Sequence, residues 1–205
     1  MKVAVIGGTG AFGRAIATRL VDAGVDVVIG SRDLERAREA ARPLGAEGAT
    51  NEEAARAADL VLLAVKAEAA VDTARDLREA IGSTPVLSVA AELRFGPGGV
   101  EPTAEATSVA QRIQAELDAP VVAGLHSLAA ANLADEPPDE DVLVCGDDER
   151  AKHLGLELAS RVAAGRAVDA GPLASARALE GMTAVIVNVN KRYKAHAGLR
   201  ITGLG

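Results

Sequence analysis

Short apolar runs alternate along the chain with longer stretches in which apolar residues recur every three or four positions. The runs are KVAVI, DVVIG, DLVLLAV, TPVLSV, PVVAG, DVLVCG and RAVDA, beginning at residues 2, 26, 59, 84, 120, 141 and 166. Such runs are typical of strands that are buried on both faces. Helical spacing predicts helices at about 14–21, 34–44, 50–58, 66–81, 107–117, 147–163 and 173–193. This alternation predicts an α/β fold of the Rossmann type, with a doubly wound and mostly parallel sheet.

The regular pattern is interrupted in two places. A Gly-Pro-Gly-Gly run at residues 96–99 indicates a flexible loop, and residues 125–139 form an irregular, acidic stretch that contains two adjacent prolines. We therefore expect two parts. Residues 1–140 would form a nucleotide-binding domain, and residues 141–205 would form a smaller C-terminal lobe that ends in a long helix.

The first strand leads into a glycine-rich turn, Gly8-Thr9-Gly10-Ala11-Phe12-Gly13, which fits the pattern G-x-G-x-x-G. The turn opens a helix inside a βαβ unit of about thirty residues, which is the context that the pattern requires. Gly8 would permit the tight turn, Gly10 would let backbone amides approach a pyrophosphate, and Gly13 would let the helix pack close to the strand. The helix N-terminus adds free N–H groups and a positive dipole end. A dinucleotide site is predicted; the alternative is a glycine-rich turn without a ligand.

The end of the second strand indicates which dinucleotide binds. An NAD enzyme places a carboxylate there for the ribose 2′-OH, but this chain has Ser31 and Arg32. A hydroxyl and a guanidinium would bind a 2′-phosphate through charge-assisted hydrogen bonds, and Arg36 follows one helical turn later. Asp33 fits the first turn of the next helix, where a carboxylate offsets the helix dipole. Taken alone, Arg36 could equally belong to a solvated helix face, but together these residues predict NADP(H).

Composition narrows the classes of function. Hydrophobic residues make up 49% of the 205, and a net charge of −7 without a basic stripe argues against nucleic-acid binding. Two Phe, one Tyr and no Trp leave few rings for stacking on bases or on a flat cofactor. A single cysteine excludes an internal disulfide, and three scattered histidines do not form a metal site. Without a signal peptide or a long apolar span, we expect a cytoplasmic protein that does not contact membranes.

Ligands of doubly wound sheets bind beyond the carboxyl ends of the strands. We therefore expect one crevice formed by the residues that follow five strands: Gly8 to Phe12, Ser31-Arg32, Val65-Lys66, Ser88 to Ala91 and Leu125 to Ala130. His126 directly follows a strand and is the candidate for chemistry there. It could act as a general acid, as a neutral donor that positions a ring or a carbonyl, or as a structural histidine bonded to the backbone.

The last predicted helix carries an apolar seam and, next to it, a stripe at helical spacing that contains Arg177, Gly181, Ala184 and Asn188. Gly181 costs about 1 kcal/mol of helix stability relative to Ala, which predicts a close approach, either by another backbone or by a flat ligand. The basic run at residues 191–194 fits the C-terminal end of a helix dipole. The same run could also be a docking point for an anionic chain.

These segments together resemble the F420-dependent NADP oxidoreductases, also called NADPH-dependent F420 reductases. The matching stretches are VAVIGGTGAFG, VVIGSRDLERA, VDTARDL, GLHSLAA, VCGDDE and DAGPLASARALEGMT, which span the chain. The resemblance implies hydride transfer between NADP(H) and the 5-deazaflavin coenzyme F420, with the C-terminal lobe completing the deazaflavin site. It also implies that the NADP phosphates are held by Thr9, Ser31, Arg32 and Arg36.

The resemblance further implies that His126 and Leu128 line the nicotinamide–deazaflavin site, with Arg177 and Thr183 nearby. Two rings in van der Waals contact need orientation rather than a proton-shuttling residue at the reacting carbons. The chain departs from the family at Lys66-Ala67, where a proline and often an aromatic residue are usual. Another departure is the segment 88–92, where the family has a proline.

Two other functions stay open at this point. The chain could be an NADP-dependent reductase of an imine, a ketone or a flavin, or a sensor that binds NADP(H) without turnover. A reductase of a small polar substrate should present a proton donor beside the nicotinamide, whereas a sensor should lack a second ring-sized cavity. We expect small-molecule coenzymes as partners and a homodimer as the assembly.

Overall fold

The computed structural model describes residues 1–133 and 136–204, and each of the seven predicted apolar runs forms a strand. The strands in the described residues are β1 (Lys2–Ile6), β2 (Asp26–Ser31), β3 (Glu47–Thr50), β4 (Leu60–Leu63), β5 (Val86–Ser88), β6 (Leu93–Gly96), β7 (Gly99–Pro102), β8 (Val121–Gly124), β9 (Val142–Gly146) and β10 (Ala167–Asp169). The α-helices are α1 (Ala11–Asp22), α2 (Leu34–Ala41), α3 (Asn51–Ala57), α4 (Ala67–Asp76), α5 (Arg78–Ile81), α6 (Val109–Glu116), α7 (Glu149–Val162) and α8 (Ala176–Tyr193). Short 3-10 turns cover Arg42–Leu44, Ala130–Leu133 and Leu173–Ser175.

Eight of these strands form one sheet in the order β10-β9-β8-β5-β4-β1-β2-β3. Neighbouring strands are parallel throughout, except that β8 and β9 run antiparallel. The order of strands along the chain reverses between β1 and β4, and ligands of such sheets bind at this switch point. The prediction of a doubly wound, mostly parallel sheet of the Rossmann type is confirmed.

Helices cover both faces of the sheet. Side chains along β1 alternate between two cores, because Val3 and Val5 pack with α1, α2 and α7 while Ala4 and Ile6 pack with α3 to α6 and α8. Both cores consist of Ala, Val, Leu and Ile side chains together with Cys145. Within the described residues, no helix has the length and apolarity that a membrane span would need.

Three helices begin where the capping residues predict. Asp33 accepts hydrogen bonds from the N–H groups of Glu35 and Arg36 at the start of α2. Thr50 and Glu53 form a capping box at α3, and Asp148 accepts from the N–H of Ala151 at α7. Such caps satisfy donors that the first turn of a helix leaves free. Asp33 is thus fully explained by the start of its helix.

Two elements differ from the predicted pattern. β3 is missed because Glu47–Thr50 contains no apolar run; it pairs with β2 at the edge of the sheet. Gly48 lets this strand approach α2 closely, since a Cβ there would lie 2.6 Å from backbone atoms of Arg38. The helix predicted over 66–81 is interrupted at Leu77, which separates α4 from α5. Both features depend on tertiary contacts that periodicity does not record.

The loop predicted at residues 96–99 is the turn of a β-hairpin formed by β6 and β7. The hairpin is attached to α8 by Asn188, whose Oδ1 accepts from the Val100 N–H at 2.8 Å while its Nδ2 donates to the Val100 carbonyl at 2.7 Å. The Asn188 amide thus makes the two hydrogen bonds to Val100 that a neighbouring strand would otherwise make. The predicted loop is thus the turn of a hairpin that this side-chain amide attaches to a distant helix.

The C-terminal residues join the same sheet as the N-terminal ones. β9 pairs with β8, and β10 pairs with β9. The buried Asp141 accepts hydrogen bonds from Arg166 and from the N–H of Ile201, and these contacts hold the pKa of its carboxyl well below the ordinary value. The irregular stretch at 125–139 includes residues 134 and 135, which lie outside the described residues. The division into parts at residue 140 stays a prediction.

Candidate functional site

The glycine turn lies at the carboxyl end of β1. Gly7 has a φ of +88°, and a Cβ there would lie 2.6 Å from the Ala64 carbonyl oxygen. Gly7 and not Gly8 therefore supplies the left-handed backbone of the turn, which corrects the sequence-based assignment. Gly8 is required for packing instead, since a Cβ on it would lie 2.9 Å from the Ile29 side chain. At Gly13 a Cβ would lie 2.5 Å from the Gly7 oxygen, so the predicted close packing of helix on turn is present.

The N-terminus of α1 is open to a ligand. Gly10 is its N-cap and provides no side chain to bond the first N–H groups, and the first turn contains no acidic residue. Gly10 and Ala11 are exposed. The backbone donors of this turn are therefore available to an anion, and the helix dipole favours a negative charge there.

Ser31, Arg32 and Arg36 lie at the carboxyl end of β2, next to the glycine turn. The side chains of both arginines are exposed, and neither forms an ion pair with the described residues, whereas Arg38 is bonded to Glu35 at 2.8 Å. Oγ of Ser31 accepts from the Asp33 N–H at 3.2 Å. Two unpaired guanidinium groups beside a hydroxyl form an arrangement suited to a phosphate.

A cavity of about 380 Å³ lies between the glycine turn and the start of the segment after β8. It is lined by Gly10, Ala11, Phe12, Ala64, Val65, Lys66, Ala67, Val89, Ala90, Ala91, Leu93, Leu125, His126, Leu128 and Thr183. We call it the ring cavity. Four of the five predicted strand-end segments meet in it. The fifth, Ser31-Arg32, lies at the same edge of the sheet but does not line the cavity.

His126 is buried, with 7% of its surface exposed. Its Nε2 lies 3.3 Å from the Ala90 carbonyl oxygen. Because a carbonyl oxygen only accepts, the proton of the neutral ring is on Nε2, and Nδ1 is a buried acceptor without a partner in the described residues. Burial lowers the pKa of His126 from 6.5 to about 4. Near neutral pH the imidazole is therefore uncharged, so Nδ1 can only accept a hydrogen bond and the ring lacks the second proton that an imidazolium would give as a general acid.

α8 closes the far side of the ring cavity. Oγ1 of Thr183 donates to the His126 carbonyl oxygen at 2.9 Å, which joins the helix to the segment after β8. Leu125, in that segment, has a φ of +64°, a conformation that is uncommon for a leucine. Leu128 is buried and lines the cavity. The predicted positions of His126, Leu128 and Thr183 beside one another are present in the structure.

Arg177 lies outside the ring cavity. Its guanidinium donates to the carbonyl oxygens of Glu105 at 2.9 Å and Thr103 at 2.5 Å, so it attaches α8 to the segment after the hairpin. Gly181 faces the end of β7, where a Cβ on it would lie 3.5 Å from the Pro102 ring. The alternative of packing against another part of the chain therefore applies to this glycine. Both residues position α8 rather than contact the cavity.

A buried carboxylate gives α8 a further attachment. Glu180 is 3% exposed and accepts from the N–H groups of Val109 at 3.0 Å and Ala110 at 3.2 Å, at the N-terminus of α6. Burial raises the pKa of this carboxyl above its ordinary value, although the two N–H donors act against the shift. The helix dipole of α6 also favours the charged form.

Two positions were missed by sequence reasoning. Gly7 could have been found, because two consecutive glycines after a strand allow either one to carry the positive φ. Leu93 lines the ring cavity from the hairpin. It does not differ in type from a core residue, so only the tertiary structure could identify it.

A family model described as "NADP oxidoreductase coenzyme F420-dependent" matches residues 2–92. Curated relatives extend the similarity over the whole chain. The F420-dependent NADP reductase of Methanothermobacter thermautotrophicus is 35% identical, with 100% of this chain and 96% of the relative covered. The enzyme of the same description from Methanocaldococcus jannaschii is also 35% identical, with 100% and 99% covered.

The fold has a similar counterpart among solved structures. A crystal structure of a candidate F420-dependent NADP reductase from Arthrobacter sp. FB24 superposes with a TM-score of 0.85 at 25% sequence identity. The superposition covers 99% of this chain and 100% of that one. The two chains therefore share one fold along almost their full length, including the region of the C-terminal helix.

Proposed function

The chain belongs to the family of F420-dependent NADP reductases, and we propose that it transfers a hydride between NADP(H) and the 5-deazaflavin coenzyme F420. The observation that carries this proposal is the ring cavity of about 380 Å³ directly beside an open glycine turn. Sites for small molecules span roughly 300–1,000 Å³, so this volume lies within the range of such sites. Its walls are largely aliphatic, as flat apolar rings require.

The nucleotide would be held on the side formed by β1, α1 and β2. Gly7 and Gly13 keep side chains away from the turn, so the backbone donors at the start of α1 face the pyrophosphate without obstruction. Ser31, Arg32 and Arg36 would bind the 2′-phosphate, since the two guanidinium groups have no carboxylate partner in the described residues. These features favour NADP(H) over NAD(H), whose ribose would need a carboxylate at this strand end.

Bound NADP(H) and F420 supply the chemistry, a hydride that passes between two ring carbons held in contact. His126 contributes an acceptor nitrogen at the cavity, with the ring oriented by its bond to Ala90. Leu128 and Val65 supply apolar walls that exclude water from the rings. Thr183 fixes α8 against this segment and so sets the width of the cavity. Each of these groups acts through geometry.

A reductase of imines or ketones is less well supported. Such a reaction needs a proton donor beside the nicotinamide, and the titratable residues that line the ring cavity are Lys66 and His126. His126 is neutral near pH 7 and its proton is bonded to a backbone carbonyl. Lys66 is exposed at the mouth of the cavity. A deazaflavin acceptor, whose reacting carbon takes a hydride directly, agrees better with this lining.

The proposal extends to assembly and location. Large apolar side chains are exposed on α8 and on the adjoining hairpin: Val185, Val189, Tyr193 and Phe95. Apolar surface of this kind is commonly covered by a second subunit, and we propose a homodimer through this face. We place the enzyme in the cytoplasm, where both coenzymes would be available to it. Sedimentation of the purified protein tests the dimer.

The direct test mixes the purified protein with NADPH and F420 and follows the visible absorbance of the deazaflavin. We expect the absorbance to bleach with NADPH and much more slowly with NADH. The Arg32→Glu variant serves as the matched control, since it should lose the preference for NADPH. If NADPH binds by calorimetry but F420 is never bleached, the hydride acceptor is another molecule and the proposal is wrong.

A further inference from the structure

Three of the segments that line the ring cavity come from distant parts of the chain. Thr183 lines it from α8, His126 from the segment after β8, and Ala90 from the segment after β5. The Thr183 hydroxyl donates to the His126 carbonyl oxygen at 2.9 Å, and His126 Nε2 donates to the Ala90 carbonyl oxygen at 3.3 Å. The wall on α8 is thus joined to the wall after β5 through the segment that lies between them.

The segment after β5 is also bonded to α6. Glu92 follows Ala90 by two residues, and its carboxylate accepts from the Arg112 guanidinium at 2.6 Å. Both side chains are partly buried. Arg112 lies in the first turn of α6, and its backbone N–H closes that turn on the Ser108 carbonyl oxygen at 3.1 Å. The position of this cavity wall therefore depends on where α6 begins.

Glu180 bonds the same turn of α6 to α8. Its carboxylate accepts from the N–H groups of Val109 at 3.0 Å and Ala110 at 3.2 Å, while the Ser108 hydroxyl accepts from the next N–H of the turn. Glu180 precedes Thr183 by three residues, so both lie within one turn of α8. Hydrogen bonds therefore lead from one turn of α8 to the segment after β5 by two routes, one through the segment after β8 and one through α6.

A carboxylate is a costly group to place at this point. Glu180 is 3% exposed and forms no ion pair within the described residues. Burying a charge without an opposite charge beside it is unfavourable, and burial accordingly raises the pKa of this carboxyl. The two N–H donors and the dipole of α6 offset that cost. A carboxylate presents two acceptor oxygens to two successive N–H groups, whereas the amide of Gln would present one acceptor and one donor.

We propose that Glu180 is a positioning residue for the acceptor site, because its carboxylate, by bonding α6 to α8, sets the separation between Thr183 and Ala90 across the ring cavity. Glu180 itself does not line the cavity. A gap of roughly 0.5–1 Å between a flat ring and its wall already removes about a quarter to a half of their dispersion attraction, so a small shift of one wall weakens binding of the ring. The inference rests on the proposed function, in which that ring belongs to F420.

The test replaces Glu180 by Gln and measures the two substrates separately. Calorimetric titration gives Kd for F420 and for NADPH, and steady-state kinetics gives the two KM values. We expect Kd and KM for F420 to rise about tenfold, because one N–H of α6 loses its buried acceptor. The values for NADPH should stay within about twofold, since neither route includes the nucleotide side. The stoichiometry of NADPH binding reports the fraction of folded protein.

Arg112→Gln tests the route through α6 without removing a buried charge. We expect KM for F420 to rise about threefold, because the bond to Glu92 is lost. The double variant Glu180→Gln with Arg112→Gln should show about the tenfold rise of Glu180→Gln alone, since both changes break the same route. If the two rises multiply instead, to about thirtyfold, Glu180 does not act through α6 and the proposal is wrong.

Glu140→Gln is the matched control. Glu140 is also 3% exposed, accepts from a backbone N–H, that of Leu199 at 3.3 Å, and has a pKa raised by burial, but it belongs to neither route. Its Kd for F420 should stay within about twofold of the wild type. An unchanged Kd in Glu180→Gln, or an equal rise in Glu140→Gln, overturns the inference while leaving hydride transfer in place. If the wild type neither binds nor reduces F420, the proposed function fails and this inference fails with it.

Discussion

The two sides of the crevice are built in different ways. The nucleotide side, residues 7–36, is one continuous piece of chain, and its Arg32 and Arg36 have no ion-pair partner within the described residues. The acceptor side combines short segments from β4, β5, β8 and α8. The Thr183 hydroxyl and the His126 Nε2 on this side are bonded to backbone carbonyl oxygens. Arginines without an ion-pair partner in the described residues mark the side that would bind a charged group, and side chains bonded to the backbone mark the side that sets a shape.

The difference has a physical origin. A phosphate must be desolvated to bind, and donors that are free before binding compensate for that loss directly. Flat redox rings instead require walls at the correct separation, which rigid and internally bonded elements provide. Variants on the nucleotide side should therefore change affinity, while variants on the acceptor side should change stability or the fit of the acceptor.

The largest effect is expected at Gly7. Gly7→Ala would place a Cβ 2.6 Å from the Ala64 carbonyl oxygen at a φ of +88°. We expect it to lower the free energy of unfolding by about 4 kcal/mol, combining overpacking with left-handed strain. Gly24→Ala is the matched control, because its φ is +75° but nothing lies within 4 Å. Urea denaturation should show a loss of only about 1 kcal/mol there. If both variants lost the same free energy of unfolding, the positive φ alone, and not the contact with Ala64, would explain the need for glycine at position 7.

His126 should make the fold sensitive to acid. Its pKa is about 4 in the folded protein, below the ordinary 6.5, so the unfolded chain binds a proton first as the pH falls. The neutral ring makes its full contribution to the free energy of unfolding above pH 6.5. This contribution, at most about 3 kcal/mol, is lost as the pH falls from 6.5 to 4. Denaturation between pH 7 and 4.5 should show a smaller loss in His126→Gln than in the wild type. His153→Gln, on the exposed face of α7, should follow the wild type.

Arg32 should decide between the two nucleotides. Arg32→Glu places a carboxylate near the 2′-phosphate, and we expect Kd for NADPH to rise about a hundredfold while Kd for NADH changes little. Calorimetric titration with both nucleotides measures this. Arg38→Glu is the control, because Arg38 is paired with Glu35 on the same helix. If Arg32→Glu binds NADPH as tightly as the wild type, the phosphate lies elsewhere.

The smallest effect is expected at Gly181. A Cβ there would meet the Pro102 ring at 3.5 Å, which is ordinary contact, so Gly181→Ala should raise the free energy of unfolding by up to about 1 kcal/mol. Gly155→Ala in α7 is the comparison, because its Cβ would lie 3.0 Å from Val144 and the gain should disappear. KM for F420 should not change in Gly181→Ala. A marked rise in KM for F420 would mean that Gly181 contacts the acceptor after all.

Much of the nucleotide side could be predicted from residues that are neighbours in the chain. The turn, the start of α1 and the end of β2 follow from glycines, a helical pattern and one strand, all local features. Asp33 was correctly assigned to the start of α2. The misplacement of the positive φ by one residue, to Gly8 instead of Gly7, shows the limit of the pattern. The residue types show that a glycine must adopt the positive φ of this turn. Only the packing against Ala64 shows that this glycine is Gly7.

The acceptor side could be predicted only in outline. His126, Leu128 and Thr183 do line the ring cavity. Arg177 instead bonds the segment after the hairpin, and Gly181 faces the end of β7. His126 was predicted from its place directly after a strand, whereas Arg177, Gly181 and Thr183 were predicted from the resemblance or from one helical stripe. Helical spacing shows which residues share a face, but it does not show which neighbour that face meets.

By itself, the sequence determined the alternation of strands and helices, the glycine turn and the basic residues after β2. These depend on backbone preferences and on burial patterns that extend over a few residues. Only the tertiary structure decided that a glycine loop is a hairpin bonded to Asn188, and that the ring cavity lies beside it. The reason is that cavities and long-range hydrogen bonds depend on distances between segments far apart in the chain, and no local pattern contains those distances.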